Sequence, residues 1–218
     1  MTSRWIAGGV VALGLAVAFL PNGRAAAETY APLPQPETGQ AVATFAGGCF
    51  WCVEADFDKI DGVLATTSGY TGGAVERPSY KQVTYTETGH YEAVQVLYDP
   101  SVVDYDTLVD AFWRTVDVTD DGGQFCDRGT SYRTAVFATP KQREAAEASK
   151  AEAQEALGGK IVTPILDAQA FYPAEIYHQD YYLKNPFRYR GYRAGCGRDK
   201  IVKRVWGDEA YVGIPGKS

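Results

Sequence analysis

The chain has 218 residues, with 21 Lys and Arg against 27 Asp and Glu and a formal net charge of −6. That acidic balance gives no support to nucleic-acid or anionic-membrane binding. Four cysteines (Cys49, Cys52, Cys126, Cys196) are too few to staple a small scaffold, and only the first two have metal-like spacing, so no metal site is indicated.

Residues 1–27 read as a targeting segment. Arg4 supplies the leading charge, Ile6–Leu20 is apolar, Pro21 ends the run, and Ala25-Ala26-Ala27 offers a small-residue cleavage site. The apolar run is short for a membrane span, so a signal peptide cleaved near Ala27 and a periplasmic or secreted product are expected. Residues 28–40 are rich in Pro, Thr and Glu and read as an exposed lead-in. Residues 41–218 are enough for one domain with a real core.

Ala41–Phe45 is apolar and suits a buried strand; Phe50, Val53, Phe57 and Ile60 then recur at helical spacing and predict a helix over 49–60. Gly62–Ser68 reads as a second strand ending in a glycine cluster, 69–73, that looks like turn chemistry. A helical turn is expected over 78–83 and a third strand over 92–98. Leu108, Val109, Phe112 and Val116 define a helix over 105–116, capped by Asp104. After a polar loop, 116–128, a fourth strand follows at 132–138. Thr139-Pro140-Lys141-Gln142 reads as a capping box opening a helix that stops at Gly158-Gly159. A last strand is expected over 161–167, then a short helix near 174–183 and irregular chain. The order predicts an α/β (α+β) fold: a split βαβ, ferredoxin-like two-layer core with a mixed sheet, an extra helix and an irregular C-terminal tail.

Cys49 follows two glycines at a helix start, where the dipole and free N–H groups favour a thiolate. Three readings of the residues stay open. Cys49 and Cys52 suit a thioredoxin-type thiol–disulfide oxidoreductase. Cys49 with His90 or His178 as base suits a cysteine hydrolase. Structural cysteines with an aromatic tail suit a binding module.

Several segments in register go further. Gly48-Cys49-Phe50-Trp51, Val53-Glu54, Gly69-Tyr70-Thr71-Gly72-Gly73, Pro78-Ser79-Tyr80, Thr88-Gly89-His90-Tyr91-Glu92, Asp127-Arg128-Gly129-Thr130-Ser131-Tyr132, Phe171-Tyr172-Pro173 and His178-Gln179-Asp180-Tyr181 stand in one order. From about Thr44 to Arg198 the chain resembles the A-type peptide methionine sulfoxide reductases.

That resemblance implies that Cys49 attacks the sulfur of methionine-S-sulfoxide, free or in proteins, with Glu92 as general acid. It implies Tyr80 and Tyr132 as donors to the sulfoxide oxygen, Phe50 and Trp51 as the pocket for the S-methyl group, and Asp127 as the holder of the substrate main chain. Glu175, His178, Asp180 and Tyr181 would support the site, His178 as a structural hydrogen-bonder. It implies a monomer with no prosthetic cofactor, whose disulfide is re-reduced by a thioredoxin-like dithiol. One departure stands out. Cys52 occupies a position where many members carry Gly, and no cysteine follows Asn185-Pro186 closely. Cys196, between two glycines, becomes the expected resolving thiol, with Cys126 a candidate relay and Cys52 expected to be dispensable.

Overall fold

The structure, a computed structural model, describes residues 30–217 and Met1. The signal segment and its cleavage site fall outside the described residues. No helix among the described residues is long and apolar enough to cross a membrane.

The strands are β1 (Ala41–Gly47), β2 (Val63–Thr71), β3 (Tyr91–Tyr98), β4 (Gly123–Gln124), β5 (Asp127–Arg128), β6 (Thr134–Ala138), β7 (Ile165–Asp167) and β8 (Phe171–Pro173). The helices are α1 (Phe50–Phe57), α2 (Tyr80–Tyr85), α3 (Tyr105–Trp113), α4 (Arg143–Leu157), α5 (Tyr181–Lys184), α6 (Pro186–Gly195) and α7 (Arg198–Trp206). Six strands form one sheet in the order β7-β6-β1-β3-β2-β8, while β4 and β5 pair separately. All neighbours in the large sheet are antiparallel except β6 and β7. β1 and β2 therefore run parallel with β3 between them, and α1 connects them. β3 and β6 run parallel around β1 through α3. This interleaving is the expected ferredoxin-like arrangement.

Strand alternation gives each face of the sheet its own packing. Phe45, Val94, Val96 and Val136 point into the main core, where they meet Phe57 of α1 and Phe112 of α3. Ala46, Ala93, Ala135 and Phe137 point the other way into a smaller cluster with Tyr91. α4 lies against α3 through Ala146, Ser149 and Ala153, whose small side chains admit Trp113; its indole N–H donates to Ser149 Oγ at 2.8 Å.

The structure departs from the sequence expectations at four places. β2 runs on through Gly69–Thr71, so part of the glycine cluster is strand; a Cβ on Gly69 would lie 2.5 Å from the Tyr172 carbonyl of β8. β7 is confined to Ile165–Asp167, because Val162 bonds to the Val118 carbonyl and Pro164 has no N–H to give a ladder. The complete capping box belongs to Ser79 and Gln82 at α2. At Thr139 only the return bond forms, from the Thr139 N–H to Gln142 Oε1 at 3.0 Å, and α4 starts at Arg143.

The largest correction is the tail, which is helical. The expected helix over 174–183 is a 3₁₀ turn at Ile176–His178 and the single turn of α5, and the chain beyond forms α6 and α7. α6 carries few apolar residues, α7 brings Val202 and Trp206 to the main core, and buried arginines fix the pair in place. Arg193 bonds Asp56 at 3.0 Å and Tyr211 at 3.1 Å; Arg198 bonds the Gly47 and Thr115 carbonyls, both at 3.0 Å.

Candidate active site

β1 ends in Gly47-Gly48 and delivers Cys49 to the N-cap of α1. Gly48 has φ +78, and a Cβ there would sit 2.6 Å from the Gln124 side chain, so only glycine fits this turn. Cys49 is 7% exposed at the floor of a cavity of about 60 Å³, whose walls are Phe50, Trp51, Tyr80, Glu92, Asp127, Tyr132 and Tyr192. A larger hollow of about 360 Å³ lined by Thr107, Arg114 and Glu209 shares no residue with it and holds no nucleophile.

Glu92 comes from β3 and is buried. Its Oε2 accepts the Phe50 backbone N–H at 3.1 Å, which locks it to the first turn of α1. Burial raises its carboxyl to about 8, the charge of Asp127 adds to this, and the Phe50 N–H and Tyr132 oppose it. The acid is therefore protonated at neutral pH. Tyr80 starts α2, and it shares the cavity wall with Tyr132. Burial pushes the Tyr80 phenol up to about 12 and the Tyr132 phenol upward as well, so both are O–H donors.

The thiol itself reverses the sequence expectation. Burial pushes Cys49 up, and a hydrogen bond and charge from Cys52 and the charge of Glu92 push the same way, while the Tyr192 hydroxyl pulls down. A helix start in the open favours a thiolate; the same position sealed from water does not. Cys52 moves oppositely, to about 7, because the Cys49 thiol donates to it against its own burial and because Arg198 and Arg193 lie near.

The supporting residues are sorted by geometry. Glu175 joins two elements, accepting the Tyr70 hydroxyl at 3.0 Å and the Tyr80 N–H at 2.9 Å. His178 Nδ1 accepts the Trp51 indole N–H at 3.0 Å, and burial lowers the imidazole to about 4, so it is a neutral structural acceptor. Tyr181 stacks on Trp51 with centroids 3.7 Å apart. Asp180 is not in the cavity wall; it is half exposed, takes a left-handed φ of +52 before α5 and pairs with Lys184 at 3.2 Å. His90 is bound to the Gly73 N–H and the Val75 carbonyl, so neither histidine serves Cys49 as a base.

Tyr192 is the wall residue that sequence reasoning missed. It projects from α6, meets Trp51 edge-on at 5.8 Å, and places its hydroxyl against Asp127 and Cys49. No periodicity marks it, because its place depends on how α6 packs. Beside Asp127 lies a disulfide between Cys126 and Cys196, with Cα atoms 4.9 Å apart; Cys49 and Cys52 are free.

A buried thiol facing a protonated carboxylic acid and two phenol donors, with no basic histidine, defines a thiol-dependent oxidoreductase rather than a hydrolase. Comparison with known proteins gives the family. The family model described as peptide methionine sulfoxide reductase matches residues 41–210, and the chain belongs to that family. It is 56% identical over 176 residues to the peptide methionine sulfoxide reductase MsrA 2 of Caulobacter vibrioides, covering 80% of this chain and 89% of that protein. Among solved structures it is similar to the reduced form of Mxr1 from Saccharomyces cerevisiae, with TM-score 0.65 and 36% identity over 70% of this chain and 90% of that one. It is also similar to Mxr1 in complex with Trx2, with TM-score 0.50 and 25% identity over 68% and 89%.

Proposed function

We propose that the enzyme reduces methionine-S-sulfoxide, free or within proteins, through oxygen transfer to Cys49. The observation that carries this reading is the neutral Glu92 carboxyl sharing one small cavity with the Cys49 thiol. A sulfoxide oxygen leaves sulfur only once protonated, and Glu92 holds that proton while Tyr80 and Tyr132 donate hydrogen bonds to the same oxygen. The S-methyl group packs on Phe50 and Trp51, which suits dispersion and sulfur–aromatic contact. Asp127 on the rim receives the substrate main chain. As the Cys49 sulfur attacks, the substrate sulfur is reduced to a thioether and Cys49 is oxidised to a sulfenic acid.

A thioredoxin-class dithiol returns the enzyme to its thiol form, a reading supported by the complex that a related structure makes with Trx2. Cys196, already joined to Cys126, belongs to this recycling path. The first 27 residues act as an export signal on this reading, so the work is done outside the cytoplasm, and mass spectrometry of the mature protein should find Glu28 at its N-terminus. An intact Met1 on a membrane-bound product would overturn that.

Handedness tests the chemistry. One cavity fixes methyl, oxygen and sulfur together, so racemic methionine sulfoxide supplied with a dithiol should lose its S epimer and keep its R epimer on chiral analysis. Equal consumption of both epimers would remove this site from the reaction.

A further inference from the structure

On one side the Cys49 cavity lies between two banks: the start of α2 at Tyr80, and the segment 127–132 at its two ends, Asp127 and Tyr132. The same banks also enclose a further hollow of about 170 Å³, lined by 83–87 at the end of α2 and just past it, and by 128–131. The two hollows have no wall residue in common. We propose that this second hollow is a subsite for protein substrates, taking a lysine or arginine side chain two residues from the oxidised methionine, on the reading of the Cys49 cavity as the sulfoxide site.

The spacing fits that use. Thr84 stands one helical turn beyond Tyr80, and its hydroxyl donates to the Tyr80 carbonyl. Four residues of helix advance about 6 Å. Side chains two apart on an extended chain share a face and lie about 6.6 Å apart. A peptide extended past Asp127, with its sulfoxide beside Cys49, therefore brings its next side chain on that face over the second hollow. Free methionine sulfoxide is a single residue and does not reach it.

The charge selects a cation. Glu87 is exposed, and its carboxylate accepts only from the Thr130 hydroxyl, at 3.5 Å, among the described residues. No Lys or Arg pairs with it among them. The one cation in the wall, Arg128, is already satisfied. Both of its terminal nitrogens bond the Asp120 carboxylate, one at 2.9 Å, and the charges of Asp121 and Asp117 act on it as well. The hollow is left with one negative charge that nothing neutralises.

The lining suits the rest of such a side chain. Lysine and arginine carry a charged head on an apolar stem. Val83 is buried beneath the hollow, and Tyr85, 76% exposed, adds a ring to its wall. The stem can lie on these two, while the head meets Glu87 and the face of the ring.

The test uses the full chain, dithiothreitol as reductant, low ionic strength, and short peptides with a central methionine-S-sulfoxide. Lysine, alanine or glutamate is placed two residues before or two residues after the sulfoxide, and kcat/KM is measured for each. At one of the two positions, lysine should exceed glutamate by about 3- to 10-fold, the scale of an exposed ion pair gained in one peptide and a like-charge contact in the other. Added salt should shrink that advantage. Glu87→Gln should level the series and Glu87→Lys should reverse it, with both variants reducing free methionine sulfoxide at the wild-type rate. Equal rates at both positions in wild type, or a preference for glutamate, would overturn the subsite. So would a lysine preference that survives unchanged in Glu87→Gln, or a loss in that variant that extends to free methionine sulfoxide. Wild type that reduces neither peptides nor free methionine sulfoxide would overturn the sulfoxide reading itself, a result distinct from turnover without preference.

Discussion

The two walls of the cavity are held by opposite physics. The wall built from β1, β3 and α1 rests on apolar packing: Phe45 stacks with Phe57 at 4.9 Å and with Phe112 at 5.1 Å, all without exposure. The wall built from α5, α6 and α7 rests on a buried polar web in which Arg193 alone reaches Asp56, Tyr189, Tyr211 and Asp199. Apolar packing is non-directional and tolerates small shifts of its parts. A buried guanidinium with four partners tolerates neither a shift nor the loss of a partner. Cys49 sits on the first wall and Cys196 at the end of α6 on the second, so the molecule joins a rigid reaction floor to an arm whose position is set by charge.

Changes in the first wall should therefore separate chemistry from stability. Glu92→Gln keeps an acceptor for the Phe50 N–H but has no proton to give. Single-turnover methionine release should fall by ~10²–10⁴-fold, the usual worth of general acid catalysis, with the melting temperature little changed. Wild-type rates in Glu92→Gln would take Glu92 out of the mechanism.

Changes in the second wall should do the reverse. Arg193→Met leaves the buried Asp56 with Lys59 at 3.8 Å as its remaining ion-pair partner, a loss of up to about 3–5 kcal/mol in urea unfolding. Adding Asp56→Asn should recover much of that loss. If the pair of changes is as damaging as Arg193→Met alone, the arm is held by something other than this ion pair.

Tyr192→Phe lies where the walls meet and should show a smaller effect. It removes one hydroxyl from the Cys49 thiol, worth about 0.5–1.5 kcal/mol, so turnover should slow by roughly 2- to 10-fold. That hydroxyl pulls the thiol down, so its loss should move the rise of activity with pH toward higher pH. A slower enzyme with an unmoved pH profile would assign Tyr192 to packing against Trp51 alone.

The same contrast explains what was legible in the sequence. β1, α1, β3, α3, β6 and α4 announce themselves because their apolar residues alternate or recur for the core. The motif residues Cys49, Phe50, Trp51, Tyr80, Glu92, Asp127 and Tyr132 all arrive at one cavity. α6 and α7 were hidden. Gly191, Gly195 and Gly197 interrupt them, Gly197 with φ +69 at their junction, and two of the residues that fasten them, Arg193 and Arg198, are arginines that read as surface. The sign of the Cys49 shift was hidden for a related reason: a helix start is visible in a sequence, but its burial by an arm more than 130 residues away is not.

The smallest expected effect tests the first wall alone. Glu54 sits on α1, fully buried, with neither carboxylate oxygen in a standard hydrogen bond. Burial raises its carboxyl from 4.5 to about 8; the charges of Asp58 and Asp180 add, while the Asp180 N–H and Lys184 oppose. A carboxyl raised in the folded state favours folding while both states hold the proton, and that contribution is lost as pH climbs through the folded value. Glu92 carries the same sign over the same window. Between about pH 4.5 and about pH 8 the wild-type melting temperature should fall, as the unfolded chain ionises two carboxyls that the folded chain keeps protonated. Glu54→Gln replaces one of them with a neutral group of the same shape. Its melting temperature should nearly match wild type at the lower pH, where Glu54 is largely neutral in both states, and exceed it at the higher. Parallel curves across the window would mean that Glu54 finds water or a partner when ionised, and that this wall is less dry than its packing indicates.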